Sequence, residues 1–411
     1  MVVLSPCGKE SLDALLAKVS DEGKVSGFVF GVTSADGEIY FNGRGHHIID
    51  DPTSSEMSPD SVFAICSQTK LITHIAALKL LEQGLLDPET PAAQYIPELT
   101  NPVIVEDEFA EPVTCRPASN IIKIRHLLNS TSGMFYPMKG ASPNKQLDAY
   151  AAPHSKFNPV SEFLSLIQEC LGDLPGIPLK FEPGTDFTYG WGSDILGFVI
   201  EKVTGQNLET FLYAHLFYPL GMKTSFYLTP ELKSRFVLLT LRREGKLTPW
   251  DGIPILGERD PANVTRHLGG TGLYSSLKDY LTLLRHLLQI YAEKAVNPIC
   301  SKRIVEDLFK PTLNAAGVKS FSRMMEQMDP FSAPNGYQWS NATALCTADW
   351  PRRRKAGTAF WMGWLGTHHF MDPMSGVAAV FGTQILPTLE HEELSLIARL
   401  EETLYAALLP G

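Results

Sequence analysis

Ser67 and Lys70 stand three residues apart at the head of a long apolar run, Leu71 to Leu81. Residues three apart on a helix share a face, so this spacing makes a hydroxyl and an amine neighbours. The amino end of a helix disfavours positive charge. A partly buried lysine amine there is expected to have its pKa pushed down and to accept the serine proton. The chemistry on offer is covalent acyl transfer: the serine attacks a carbonyl while the lysine takes its proton.

The Ser-x-x-Lys pattern occurs three times, and its surroundings separate the copies. Ser142 to Lys145 lies in a stretch rich in Pro, Gly and Ser and reads as an exposed turn. Ser275 to Lys278 reads as a helix start, with Ser276 as N-cap and Asp279 three residues on. Only Ser67 follows a short apolar run, Val62 to Cys66, and precedes a helix too apolar for the surface, closed by Gly84. The competing reading of Ser67 is an ordinary N-cap serine.

The elements that must hold this pair are mixed α and β, with strands gathered at the two chain ends. A short amphipathic helix covers 10–21. Gly27 to Thr33 and Glu38 to Asn42 are alternating runs joined by Ser34-Ala35-Asp36-Gly37, a hairpin signal. Gly366 to Met371 and Val377 to Leu386 form a second pair about the Asp372-Pro373 turn, and a helix over 388–408 closes the chain. The middle reads as helices punctuated by Pro and Gly, with little strand character. The expected fold class is therefore α+β, with an antiparallel sheet flanked by helices. Residues 1–85 and 266–411 would form the α/β lobe, and 86–265 an inserted helical lobe.

Composition narrows the function. The 411 residues are 44% hydrophobic and 19% charged, ordinary for a globular protein with ample core. A net charge of −10 argues against nucleic acid as a partner, and no apolar run reaches the ~18 residues of a membrane span. The amino terminus lacks the basic start and long apolar core of a signal peptide. The six cysteines are scattered without a CxxC pair and read as reduced, mostly buried thiols, so a cytoplasmic location is expected. Cys66, beside the serine, reads as a small core residue.

Several motifs in a fixed order carry a resemblance. Ser67-x-x-Lys70 is followed by Leu80 to Asp87 and Tyr95 to Leu99, then by Ile124 to Met134. Phe181-Glu182-Pro183-Gly184 with Tyr189 comes next, and His267 to Leu273 is a Gly-rich turn. Over roughly residues 10–408 the chain resembles the superfamily of serine β-lactamases, penicillin-binding proteins and family VIII esterases. Tyr189-Gly190, Asp194 and Arg353-Arg354-Lys355 are most similar to the fungal lovastatin-pathway acyltransferases within it.

The resemblance implies a β-lactamase-like fold with the active site between the lobes, and a Ser67, Lys70 and Tyr189 catalytic set. Tyr189 would face Ser67 and relay protons to the leaving group, a nearby Lys70 cation favouring its phenolate. The family's lactam hydrolases often carry Tyr-x-Asn there. This chain has Tyr189-Gly190-Trp191, and its one literal Tyr-x-Asn, Tyr40 to Asn42, lies in the first hairpin. No Lys-Thr-Gly occurs either. Counting back from Asp372-Pro373, the equivalent triplet is Trp361-Met362-Gly363, similar to the esterases' Trp-Gly-Gly, with Lys355-Ala356-Gly357 as a rival. A tryptophan there removes a carboxylate anchor and favours esters or thioesters with an apolar body. Family geometry makes the backbone N–H groups of Ser67 and Trp364 the oxyanion hole. Trp191, Trp361, Gly363, Trp364, Phe135 and Tyr136, with Met134, are candidates for the substrate-binding wall, against plain core packing.

Other chemistries find less support. His368 and His369 sit on one strand, so only one can face the cleft as a base. No His, Cys or acidic cluster has metal spacing, and Gly269 to Gly272 lacks the Gly-Lys-Ser/Thr of a phosphate loop. No metal or cofactor is expected. Arg352-Arg353-Arg354-Lys355 reads as a solvated turn, or as a contact for the phosphates of a CoA thioester or an acyl carrier protein. The function expected is a metal-free serine acyltransferase or esterase. It would take an acyl group from a small ester or thioester and pass it to an alcohol or water. A D-amino-acid peptidase or β-lactamase and a non-catalytic ligand-binding relative are the alternatives.

Overall fold

The computed structural model describes residues 2–136, 174–250, 266–329 and 336–409, with Leu164, Leu171 and Val264. The Ser142 to Lys145 tetrad falls outside them. Helix α1 (Pro6–Glu22) starts earlier than its apolar periodicity suggests, because Ser5 caps it through the Gly8 N–H and Pro6 suits the first turn. The first hairpin is β1 (Phe28–Ser34) and β2 (Glu38–Arg44). α2 (Thr69–Glu82) and α3 (Gly192–Thr204) follow. After the N-cap bond from the Asp279 N–H to Ser276 Oγ comes α4 (Leu277–Tyr291), so the Ser276 expectation holds.

The C-terminal part supplies α5 (Ala315–Met328), β3 (Tyr337–Trp339), β4 (Ala344–Cys346), β5 (Ala359–Gly363), β6 (Thr367–Asp372), β7 (Val377–Gly382) and α6 (His391–Ala407). Seven antiparallel strands form the main sheet in the order β3-β4-β5-β6-β7-β1-β2. The two ends of the chain meet in its middle, where Phe381 pairs with Phe30 and Val380 with Gly31. Strand alternation sends Phe28, Phe30 and Val32 into a core with α1 and α6, and Val29 into a second core with α4. This is the α+β architecture expected.

The middle holds more strand than its sequence suggests. Val103–Asp107, Thr114–Pro117 and Pro178–Leu179 make a three-stranded sheet whose members, of five, four and two residues, are too short to show clear alternation. Phe236 bridges Val62, and Thr240–Arg243 pairs in parallel with Ile385–Leu386. Part of the stretch read as helical lobe therefore packs on the α/β side.

The basic run before β5 is not a solvated turn. Arg353 and Arg354 are buried, and both donate to the buried carboxylate of Glu401 on α6, Arg353 Nε at 2.8 Å and Arg354 Nε at 3.0 Å. Arg354 also lies 4.9 Å from the Phe370 ring centre. Arg352 and Lys355 stay outside, paired with Glu402 and Asp349. Burial alone would raise the Glu401 pKa, but the two guanidinium charges outweigh it and hold it at about 2. A carboxyl depressed in the fold adds stability above its unfolded pKa and loses it as pH falls. Glu401→Ala should cost about 3–5 kcal/mol by stranding two buried cations, read as a lower urea midpoint at neutral pH. In the wild type this contribution should fade between about pH 4.5 and pH 2.

Candidate active site

Ser67, the expected nucleophile, sits in a strained turn. Cys66–Gln68 is a single 3-10 turn ahead of α2, and Cys66 takes φ 45°, in the left-handed region. That costs an L-residue about 1–2 kcal/mol. The turn is held from below: the Tyr280 hydroxyl on α4 donates to the Gln68 carbonyl at 3.0 Å, and Thr69 Oγ1 accepts from the Leu273 N–H at 3.3 Å. From Thr69 to Leu78 every residue of α2 is buried, which explains its apolar character on all sides.

Lys70, 2% exposed, donates from Nζ to Ser67 Oγ at 3.2 Å and to the Gly270 carbonyl at 2.9 Å. Its Nζ lies 4.7 Å from the Tyr189 ring centre and 5.9 Å from that of Tyr136. The three residues singled out as catalytic thus converge. The expected fall in the Lys70 pKa does not occur. Burial does favour the neutral amine, but Tyr136, Tyr189 and Asp194 outweigh it and hold the pKa above the ordinary lysine value. Local helix position was the wrong guide, because the deciding charges come from other elements.

Asp194 is the residue sequence reasoning missed, having served only as a subfamily mark. It lies in the first turn of α3 and is wholly buried. Its Oδ1 accepts the Gly270 N–H at 2.8 Å, so one peptide is held by the lysine at its carbonyl and by the aspartate at its amide. Oδ2 has no hydrogen-bond partner among the described residues. Burial raises the Asp194 pKa to about 6, with Lys70 and the Gly270 amide pulling it back. A Cβ at position 270 would meet the Asp194 carboxylate at 2.6 Å, so glycine is required there. The only sequence signal was its place five residues after Tyr189.

Beside it, His74 donates from Nδ1 to the Asn341 carbonyl at 2.5 Å, which leaves Nε2 to accept from Ser193 Oγ at 2.9 Å. Burial lowers its pKa to about 4, so it ties α2 to α3 as a neutral ring.

The strand beside the nucleophile is β5, so Trp361-Met362-Gly363 is the flanking triplet and Lys355 lies outside in its exposed turn. At Gly363 a Cβ would come 2.3 Å from the Ile65 carbonyl, so the strand end and the nucleophile turn touch through glycine. This places Trp364, 40% exposed, directly after that contact. Trp361 donates from Nε1 to the Tyr189 hydroxyl oxygen at 3.0 Å, and the half-buried Tyr136 packs its ring 5.9 Å from that of Tyr189.

Three wall candidates are corrected. Trp191 is fully buried and donates to the Phe135 carbonyl at 2.8 Å; Met134 and Phe135 are buried with it. A ring of that size opening α3 fills core, bracing the segment that carries Tyr136. The histidines alternate as expected of a strand. His368 binds Glu393 at 2.9 Å on the α6 side, while the His369 ring lies tilted 5.2 Å from that of Tyr280, its pKa lowered to about 3 by burial. The hydrogen bond of Ser67 Oγ is to Lys70, and neither histidine takes part in it.

Comparison with known proteins identifies the family. The chain is 32% identical to the lovastatin esterase of Penicillium rubens over 67% of its own length and 68% of that protein. It is 28% identical to the acyltransferase calJ of Penicillium decumbens, over 85% and 82%. The unliganded simvastatin synthase of Aspergillus terreus superposes with a TM-score of 0.79 at 22% identity, covering 97% of this chain and 98% of that one. The Beta-lactamase family model matches residues 12–402. A match over nearly the whole chain makes it a member of the Beta-lactamase family.

Proposed function

We propose that the protein is a serine acyltransferase that passes an acyl group from an ester or thioester to an alcohol of a small apolar metabolite, with water as competing acceptor. The observation carrying this is the Lys70 bond to Ser67 Oγ, with the Tyr189 ring centre 4.7 Å from the same Lys70 amine. Relatives named as an esterase and an acyltransferase support the same chemistry. Ser67 Oγ attacks the carbonyl carbon and gives its proton to the Lys70–Tyr189 pair. The working base is the pair with one proton fewer than ammonium plus phenol, a shared state of both groups. The oxyanion sits between the N–H groups of Ser67 and Trp364. Collapse breaks the ester or thioester bond, and the leaving oxygen or sulfur takes the proton from Tyr189. The acceptor alcohol then gives its proton to the same pair, attacks the acyl-Ser67 carbonyl, and releases Ser67, which recovers a proton.

Substrate class follows from what faces the nucleophile. The triplet beside Ser67 offers an indole where a lactamase would offer an ammonium, so a substrate carboxylate has no anchor there. Trp191, in the core, cannot bind an amide. Peptide and lactam substrates are disfavoured on both counts. A CoA or carrier-protein thioester fits as donor through its good leaving group. Arg353 and Arg354 would not read its phosphates, being committed to Glu401. Thiols outside any disulfide at Cys7, Cys115, Cys300 and Cys346 favour a cytoplasmic setting.

The test is turnover of p-nitrophenyl acyl esters followed by intact mass, with and without an alcohol acceptor. An acyl adduct on the wild type, drained faster by alcohol into a new ester, is the expected outcome. An adduct that only water clears would make the protein a hydrolase. Neither adduct nor turnover across chain lengths would leave a binding protein.

A further inference from the structure

We propose that Trp361 is a positioning residue for acyl transfer: its indole N–H takes one lone pair of the Tyr189 oxygen and fixes where that oxygen can exchange a proton. The inference rests on Tyr189 being the proton shuttle. An indole N–H donates and never accepts, so at 3.0 Å the Tyr189 oxygen must be the acceptor. A phenol O–H prefers one of two directions in the ring plane. A donor arriving on one side excludes the hydroxyl proton from that side and leaves the other for exchange. The indole thereby removes one of the two orientations that an unassisted tyrosine would sample.

The indole can do this because it is itself immobile. Trp361 is 3% exposed on the central part of β5. Its ring meets Trp339 edge to face at 4.6 Å and 87°, and Tyr189 at 5.0 Å. Trp339 also contacts Tyr189 at 6.2 Å, and Phe321 on α5 lies 6.3 Å from Trp361. Two aromatic neighbours thus clamp the donor, and one of them also clamps its acceptor. A tryptophan kept only as an apolar wall would not need its nitrogen aimed at the oxygen of the phenol that packs against Lys70.

The test separates the N–H from the ring. Trp361→Phe keeps an aromatic wall, and replacing Trp361 with 3-benzothienyl-alanine keeps the shape while exchanging N–H for sulfur. Both should lower kcat for p-nitrophenyl ester turnover about tenfold, the scale of one well-placed neutral hydrogen bond, with KM within about twofold. In a Tyr189→Phe background the same changes should add nothing. If the isosteric variant keeps wild-type kcat, or the loss falls on KM alone, Trp361 is only a wall and the proposal is overturned. Wild-type turnover by Tyr189→Phe itself would instead remove the shuttle reading, a distinct result.

Discussion

Ser67→Ala should abolish the acyl adduct and lower ester turnover by about 10^4-fold or more, the scale on which covalent nucleophiles fail when removed. The fold should survive, because Ser67 lies in a turn held by backbone groups. Its neighbour Gln68 offers a carbonyl to Tyr280, and Thr69 meets the Leu273 amide. Only the Lys70 bond is lost, and Lys70 keeps the Gly270 carbonyl. Unchanged thermal unfolding, with no mass shift after incubation with a p-nitrophenyl ester, is the combined readout. A persistent adduct on the variant would place the nucleophile elsewhere.

Lys70→Met should lower kcat/KM by about 10^3-fold, mid-range for loss of a proton-transfer partner. The charge balance behind the site should shift with it. In the wild type Lys70 pulls the Asp194 pKa down against burial, giving about 6. Without the ammonium that pull ends, so the Asp194 pKa should climb, as carboxyl NMR would register. The wild-type pH profile follows from the same electrostatics. The active form has one proton fewer than ammonium plus phenol, and the Lys70 pKa is held above its ordinary value. Raising the pH therefore creates the active form, and log kcat/KM should rise with near-unit slope from about pH 7 to pH 9. A profile flat over that range would show that the pair does not need to lose a proton.

How much of this was legible in the sequence depended on range. Ser67 and Lys70 could be read because their geometry is set by one turn of helix, and the burial of α2 is written in its own residues. The terminal strands showed because alternation and the two turn signals are local. Asp194 was not legible as part of the site, since its meaning arises from a peptide, Gly270, far along the chain. The Lys70 charge state failed for the same reason. Helix position was visible, whereas Tyr136, Tyr189 and Asp194 come from other elements. Arg353 and Arg354 looked like a surface run because Glu401, which neutralises them, lies on the last helix. Trp191 was misplaced because a large ring beside a catalytic-looking tyrosine fits a core and a cleft equally well on paper.

The pairing of β1 with β7 has a consequence for how the molecule is made. β1 leaves a ribosome about 340 residues ahead of β7, its hydrogen-bonding partner on the side away from β2. At cellular elongation rates of ~5–20 residues per second, the nascent chain carries this apolar strand with its β7 side unpaired for ~tens of seconds. Long-range pairing of this kind folds slowly and is exposed to aggregation meanwhile. Nascent fragments ending before Val377 should therefore need chaperone shielding, and competence should arrive abruptly once β7 has been made.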